Sequence, residues 1–427
     1  VAGTVPVAGT VPVAGTVPVA GIVPVAGIVP VAGTVPVAST VLPLAGLRVI
    51  EVGSFVAVPS AGLALRQLGA RVIRVDPVGG APDIRRWPLG RDGRSLYWAG
   101  LNRGKESVVL DLAGPAGQVT LRRLVCAGGA TGGILLSNIS GQPWLADQVL
   151  RQHRPDLIYV QVVGTSDGGP AVDYTVNAAS GLAHATGPED GESPVNHALP
   201  AWDLLAGAQA AMAVLAALRR RESTGEGACL RVALEDVAAA TLTTLGFLPD
   251  AHLRLRNRPP HGNYLYGTFG AEMPLSDGNR IMIVALTSRQ WDSLLEVTGT
   301  GRAVTALAGA LDADFRSEGD RYLHRHVLAG LLRPWFEARS LGEVSAALGG
   351  SRVLWAPFRR FTDVVRDLHR AGGSPVVTEM PEEGFGAILA TPGPVRLGGA
   401  SDAPARAPRL GQHTDSVLTE LLGNDHG

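Results

Sequence analysis

Asp203 follows Pro200-Ala201-Trp202 and stands at the head of an Ala- and Leu-rich run, LLAGAQAAMAVLAALRRR, that extends from Leu204 to Arg221. Ala and Leu are strong helix formers and the closing arginines suit the negative end of a helix dipole, so the run reads as a helix with Asp203 at its start. A carboxylate in that position has two physical uses. It can accept from the first free backbone amides as a cap, or, held ionised by the positive end of the dipole, it can attack a thioester carbonyl. Asp173, in VDYTVNAASGL, is a second carboxylate that could pair with Asp203 or act as an acid/base if burial raised its pKa. Asx residues in Pro- and Gly-rich surroundings are more often turn formers, and spacing alone does not show that the two aspartates meet.

Arg85, Arg86 and Trp87, after GGAPD, form a compact cationic and aromatic group that could hold a carboxylate or phosphate, or equally be solvated surface. His184, His197 and His261 stand near polar Gly/Asn segments, but none pairs with another at ligand spacing, so no metal site is expected. No G-x-S-x-G elbow occurs, and neither Cys126 nor Cys229 has a neighbouring His, so Ser and Cys nucleophiles have no support. The two cysteines are too few for a disulfide framework, are expected to be small buried residues, and suit a reducing cytoplasm.

The elements that must position these groups follow a strand–helix alternation. LRVIEVG, RVIRVD, SVVLDL, GILLSN and LIYVQVVG are short apolar strand patterns separated by helix-like segments, which is the signature of an α/β fold with a parallel sheet covered on both faces. The first turn reads GSFVAVPSAG and lacks the G-x-G-x-x-G spacing of a dinucleotide site, which disfavours NAD or FAD. The aromatic and Gly-rich passage RNRPPHGNYLYGTFG leads into DGNRIMIVAL, a turn and strand opening a smaller domain whose helices include QWDSLLEVTG and the stretch near HRHVLAGLLRPWFEA. A Pro- and Gly-rich tail from Pro381 to Arg409 then ends in PRLGQHTDSVLTELLG, a turn and a short amphipathic helix. Residues 1–42 repeat the hexapeptide VAGTVP, whose recurring Pro prevents a helix, and read as an extended low-complexity tail or a β-prone arm.

With 427 residues, 46% hydrophobic and 18% charged, the chain can build a large core in two lobes. Its 37 basic residues nearly balance 38 acidic ones and form no block, so a nucleic-acid partner is not expected. No uninterrupted apolar run reaches the length of a membrane span, and the apolar N-terminus has no basic n-region. The expectation is a cytoplasmic protein with no membrane partner.

PLAGLRVIEVGSFVAVPSAGLALRQLGARVIRVDPVGG, SLYWAGLNRGKESVVLDL, LPAWDLLAG, RRRESTGEG and APRLGQHTDSVL occur in the order found in family III CoA transferases, and the chain resembles that family over about residues 43 to 423. Within it, RRWPLGRDGRSLYWAGLN, VDYTVN, VNHALPAWD and GNYLYGTFG are similar to the branch that moves CoA between the two carboxyl groups of mesaconate. The resemblance implies a Rossmann-like large domain from both ends of the chain (43–250 and the return segment 356–427), a smaller inserted α+β domain (251–355), and an interlinked homodimer. It implies that Asp203 is the catalytic aspartate, passing through an aspartyl anhydride and an aspartyl-CoA thioester, with CoA present only as part of the thioester substrate and no permanently bound cofactor. By position, Phe55, Val56, Ala57 and Leu110 match residues lining the family's CoA site. Asn138 matches the Asn of its Asn-Phe-x-Pro-Gly loop, which here reads NISGQPW, and Val56 stands where formyl-CoA transferases carry Gln. Arg85, Arg86 and Trp87 become candidates for holding the idle carboxylate. The alternatives are an intermolecular transferase on another dicarboxylate, an α-methylacyl-CoA racemase using Asp173, and a non-catalytic CoA-binding relative.

Overall fold

The computed structural model describes residues 42–191, 193–371, 374, 376–396 and 404–423; the repeat tail, apart from Leu42, lies outside them. The described residues divide into two compact units, one formed by 42–262 with the C-terminal segment from Leu368, the other by Asn263–Asp367.

The larger unit is built on strands β1 (Arg48–Val52), β2 (Arg71–Pro77), β3 (Glu106–Leu110), β4 (Ile134–Ser137), β5 (Ile158–Val163) and β6 (Ala228–Ala233). They form one sheet in the order β3-β2-β1-β4-β5-β6, parallel throughout. Helices α1 (Ala57–Gln67), α2 (Leu96–Leu101), α3 (Pro115–Cys126), α4 (Asp147–His153), α5 (Asp173–Ala179), α6 (Leu182–Ala185), α7 (Ala201–Thr224), α8 (Leu234–Thr244) and α9 (Phe247–Arg254) supply the connections. The apolar runs of β1, β2 and β4 are buried on both faces, as a parallel sheet under two helical layers requires. One face packs against α1 and α7 through Val58, Ala61, Leu65, Ala206, Ala210 and Val214; the other core joins Ile50, Ile73, Val108 and Leu121 to Val417. By length and composition α7 could cross a membrane, but here its small-residue stripe is the centre of a core.

The close approach of α1 and α7 depends on Gly207, where a Cβ would lie 2.0 Å from Ser60 Oγ and 2.7 Å from the Ala57 carbonyl oxygen. Because strand order reverses between β1 and β4, their C-terminal loops diverge and leave the crevice at which α/β sheets bind ligands.

Under that crevice lies a buried charge cluster. Lys105 Nζ donates to both oxygens of Glu51 (2.9 and 2.8 Å), to the Pro59 carbonyl oxygen (2.8 Å) and to Asn102 Oδ1 (3.0 Å). Arg74 pairs with Asp76 and Asp83 at 2.9 and 3.0 Å. Burial pulls the Lys105 ammonium down to about 8 and pushes the Glu51 carboxyl up.

The smaller unit has an antiparallel sheet of β7 (Phe269–Pro274), β8 (Arg280–Ala285) and β9 (Leu354–Pro357), with helices α10 (Ser288–Thr298), α11 (Gly301–Leu311), α12 (Glu318–Leu323), α13 (Arg325–Glu337) and α14 (Leu341–Leu348), and α15 (Phe361–Arg370) leading out of it. Phe269, Trp291, Leu294, Leu328 and Phe336 form its own core. In the returning segment the Pro- and Gly-rich stretch is not a plain tail. It contains a hairpin of β10 (Thr378–Glu382) and β11 (Gly386–Ala390), tied to the larger unit by Arg103 and Glu382 at 2.7 Å. Helix α16 (Thr414–Leu422) then docks along β3. The fold is thus α/β, a Rossmann-like parallel-sheet unit with a smaller α+β unit inserted in the sequence.

Lys105→Met would leave Glu51 buried without its ammonium. Urea unfolding should show a loss of about 3–5 kcal/mol, most of it recovered when Glu51→Gln is added, because removing both charges also removes the unpaired one.

Candidate active site

The sequence brings two carboxylates to the start of α7, and their roles there differ from those expected. Asp173, the first residue of α5, is 2% exposed. Its Oδ2 accepts from the backbone amides of Trp202 (2.7 Å) and Asp203 (3.1 Å), and its Oδ1 lies 2.7 Å from His197 Nε2. A carboxylate can only accept, so the imidazole donates through Nε2. Asp173 is therefore the residue that satisfies the free amides of α7, whose own flanking residue, Pro200, offers no side-chain cap. The cap that the pattern assigns to Asp203 belongs to Asp173, and Asp173 is no mere turn former.

Asn177, one helical turn after Asp173, accepts from the Trp202 indole Nε1 (3.2 Å) and donates to Asn196. One face of α5 thus holds both the backbone and the ring of Trp202. His197 packs edge-on against Tyr174 and beside Trp202.

Relieved of capping, the Asp203 carboxylate accepts no hydrogen bond from the described residues. Burial, with the neighbouring charge of Asp173, pushes it up to about 6, while Arg86 draws it back down. Arg86 lies over the rings of Phe55 (5.7 Å) and Tyr97 (5.3 Å). Burial pushes the Tyr97 phenol up to about 12. The sequence reading missed Tyr97 as an individual residue, although it lies in the SLYWAGLN passage. Arg85, Arg86 and Trp87 are all exposed, Trp87 by 80%, and of that trio only Arg86 bears on Asp203.

Phe55, Val56, Ala57 and Asn138 meet at the β1/β4 crevice. Phe55 has φ of 65°, a conformation strained for a non-glycine residue, and its amide donates to Asp83 Oδ2 at 2.9 Å. Its ring is thereby left 41% exposed, whereas Val56 and Ala57 are buried at the start of α1. Asn138 accepts from the Ser54 amide (3.2 Å) and donates to the Ser54 carbonyl oxygen (3.1 Å), clasping the β1 loop to the β4 loop. Leu110 is buried at the end of β3. His184 is exposed on α6 and His261 is buried elsewhere in the unit. Cys229 departs from expectation: it is exposed on the edge strand β6, and Cys126 is only half-buried.

Asn138→Ala removes both bonds of this clasp. Hydrogen exchange should quicken at Ser54 and Phe55, with a stability loss of about 1–2 kcal/mol.

The sequence profile of CoA-transferase family III matches residues 44–414. A 2-methylfumaryl-CoA isomerase from Chloroflexus aurantiacus is 44% identical over 383 residues, covering 89% of this chain and 94% of that protein. A succinyl-CoA:glutarate CoA-transferase from Mus musculus is 28% identical over 399 residues, covering 90% and 88%. A crystal structure of a CaiB/BaiF family protein from Brucella suis has the same fold, with a TM-score of 0.73 at 24% identity over 89% of this chain and 100% of that one. With the profile spanning nearly all of the described chain and a relative at 44% identity along most of its length, the chain belongs to family III of the CoA transferases.

Proposed function

We propose that this chain moves CoA between the two carboxyl groups of mesaconate, converting 2-methylfumaryl-CoA into its isomeric thioester with Asp203 as nucleophile. The observation that carries this reading is the division of labour at the start of α7, where Asp173 satisfies the amides and the Asp203 carboxylate keeps its lone pairs. The 44% identity to a 2-methylfumaryl-CoA isomerase supports the choice of substrate.

In this scheme Asp203 attacks the thioester carbonyl, releasing CoA thiolate and forming a mixed anhydride. The thiolate attacks the aspartyl carbonyl of the anhydride, freeing mesaconate and leaving an aspartyl-CoA thioester. The other carboxylate of the retained mesaconate then attacks that thioester, and the thiolate released attacks the new anhydride at the mesaconyl carbonyl, restoring Asp203. Retention of the acid makes the second half effectively intramolecular, so no external acceptor is needed. Arg86 is the cation suited to hold the idle carboxylate, and Phe55 and Tyr97, which its guanidinium overlies, limit where it can swing. Phe55, Val56, Ala57, Leu110 and Asn138 line the path of CoA, which arrives and leaves with the substrate. Both Asp173 oxygens are engaged, which speaks against its serving as a racemase base. The assembly that goes with this reading is an interlinked homodimer in the cytoplasm; a stable monomer by sedimentation at micromolar concentration would count against it.

Incubation with 2-methylfumaryl-CoA and no added acid should yield the second thioester by chromatography, and Asp203→Ala should yield none. Turnover should fall as pH drops through about 6, since the attacking carboxylate must be ionised. Arg86→Ala should raise KM and move that acidic limb upward by up to about one pH unit. Unchanged turnover, affinity and limb would remove Arg86 from the site.

A further inference from the structure

We propose that Asp173 and His197 form the positioning device of this active site, capping α7 so that the Asp203 carboxylate stays free and fixing a second negative charge behind it. The inference rests on Asp203 being the nucleophile.

A helix that begins in a buried active site faces a conflict. Its first amides need an acceptor, and the acidic residue in its first turn is the nearest one. If Asp203 folded back onto those amides, its lone pairs would be taken and its nucleophilicity lowered. In this chain the acceptor is brought from another helix. Asp173 Oδ2 reaches two amides at once, including that of Asp203 itself, so the carboxylate that relieves Asp203 also fixes its backbone. His197 anchors the other oxygen, and its ring is wedged between Tyr174 and Trp202. Rotation of Asp173 away from the amides would break the bond to His197.

The arrangement has an electrostatic consequence. The charged and titratable groups that bear on Asp203 are Asp173 from α5, Arg86 from the segment after β2 and Tyr97 from α2, with His197 behind Asp173. Arg86 favours the ionised carboxylate. Burial first, and Asp173 with it, oppose ionisation and bring the titration of Asp203 nearer to neutral pH, where a carboxylate is a stronger nucleophile than an ordinary aspartate. The anhydride that follows attack is neutral at Asp203, so forming it relieves the repulsion.

The test uses Asp173→Asn. Its amide oxygen can accept from both backbone amides and its NH2 can donate to the other imidazole tautomer, so shape is kept and charge removed. Unfolding free energy is measured against pH for the wild type, Asp203→Asn, Asp173→Asn and the double variant, a readout that needs no turnover. A carboxyl whose folded pKa is raised adds stability below its unfolded value and loses it as pH rises through the folded one. The Asp203→Asn variant should therefore gain on the wild type as pH rises from about 4 to about 6. In the Asp173→Asn background that gain should end roughly one pH unit lower. The acidic limb of isomer formation should shift down with it, and Asp173→Ala, which loses the cap as well, should lower kcat far more than Asp173→Asn. An identical gain in both backgrounds would overturn the electrostatic role, and equal kcat for Asp173→Asn and Asp173→Ala would overturn the positioning role. Absence of isomer at every pH with the shifted stability gap intact would instead reject the substrate assignment and leave the charge coupling standing.

Discussion

Everything at the crevice depends on how one buried helix begins. A 24-residue helix of Ala, Leu and Val must start somewhere, and its first backbone amides, hidden from water, need acceptors. Pro200 offers none. The acceptor is Asp173, carried by a short helix whose next turn presents Asn177 to the indole of Trp202. That contact fixes the backbone of Asp203, whose ionisation is set first by burial and then by the charges of Asp173 and Arg86. The rest of α7, with Gly207 against Ser60, fixes the same point from the other side by seating the helix on α1.

The second constraint is the reversal of strand order between β1 and β4. It opens the crevice, and the chain closes the floor of it with charge rather than with apolar side chains. Glu51, Arg74, Asp76, Asp83 and Lys105 are almost wholly buried, and Asp83 spends one oxygen on the amide of the strained Phe55. Such a cluster contributes little net stability compared with well-packed hydrocarbon. What it does supply is directionality: shared acceptors such as Asp83 and Asn102 tie several donors to one point, and the Phe55 ring is held out where Arg86 lies over it. Loop geometry at the site is thus inherited from the ion pairs beneath.

Five of the six strands of the larger unit are legible because burial on both faces writes short, mainly apolar runs, as in ILLS; the edge strand β6, Ala228–Ala233, is only partly buried and escapes. The start of α7 was legible as well, since Asp203 sits where helix-forming composition begins. Its cap was not, because the acceptor comes from another helix and no local pattern encodes which distant side chain reaches an amide. The β10–β11 hairpin escaped for a different reason. Half of the residues of Thr378–Glu382 and Gly386–Ala390 are exposed, and Pro381 inside the first strand reads as a breaker, so the apolar GAILA has no recognisable partner strand in the sequence. Among the candidate substrate groups the composition could not separate Arg86 from Arg85, because the difference is one of direction along a turn. Family resemblance singles out Phe55 and Asn138, but no local pattern tells that Asn138 clasps the Ser54 backbone.

The last helix adds a constraint on the order of events during synthesis. The edge of the parallel sheet, β3, is covered by the end of the chain: Ser107 donates to His413 Nδ1, Val109 to Thr414 Oγ1, and Gly411 to the Ser107 hydroxyl. Some three hundred residues separate these partners. A nascent chain that has already emerged with β1 to β6 still presents an open strand edge while the whole inserted unit is being made. Uncovered edges invite pairing with other chains. The insertion therefore lengthens the interval in which the sheet needs protection, and a truncation before Gly411 would make that interval permanent, favouring aggregation over a soluble, partly active enzyme.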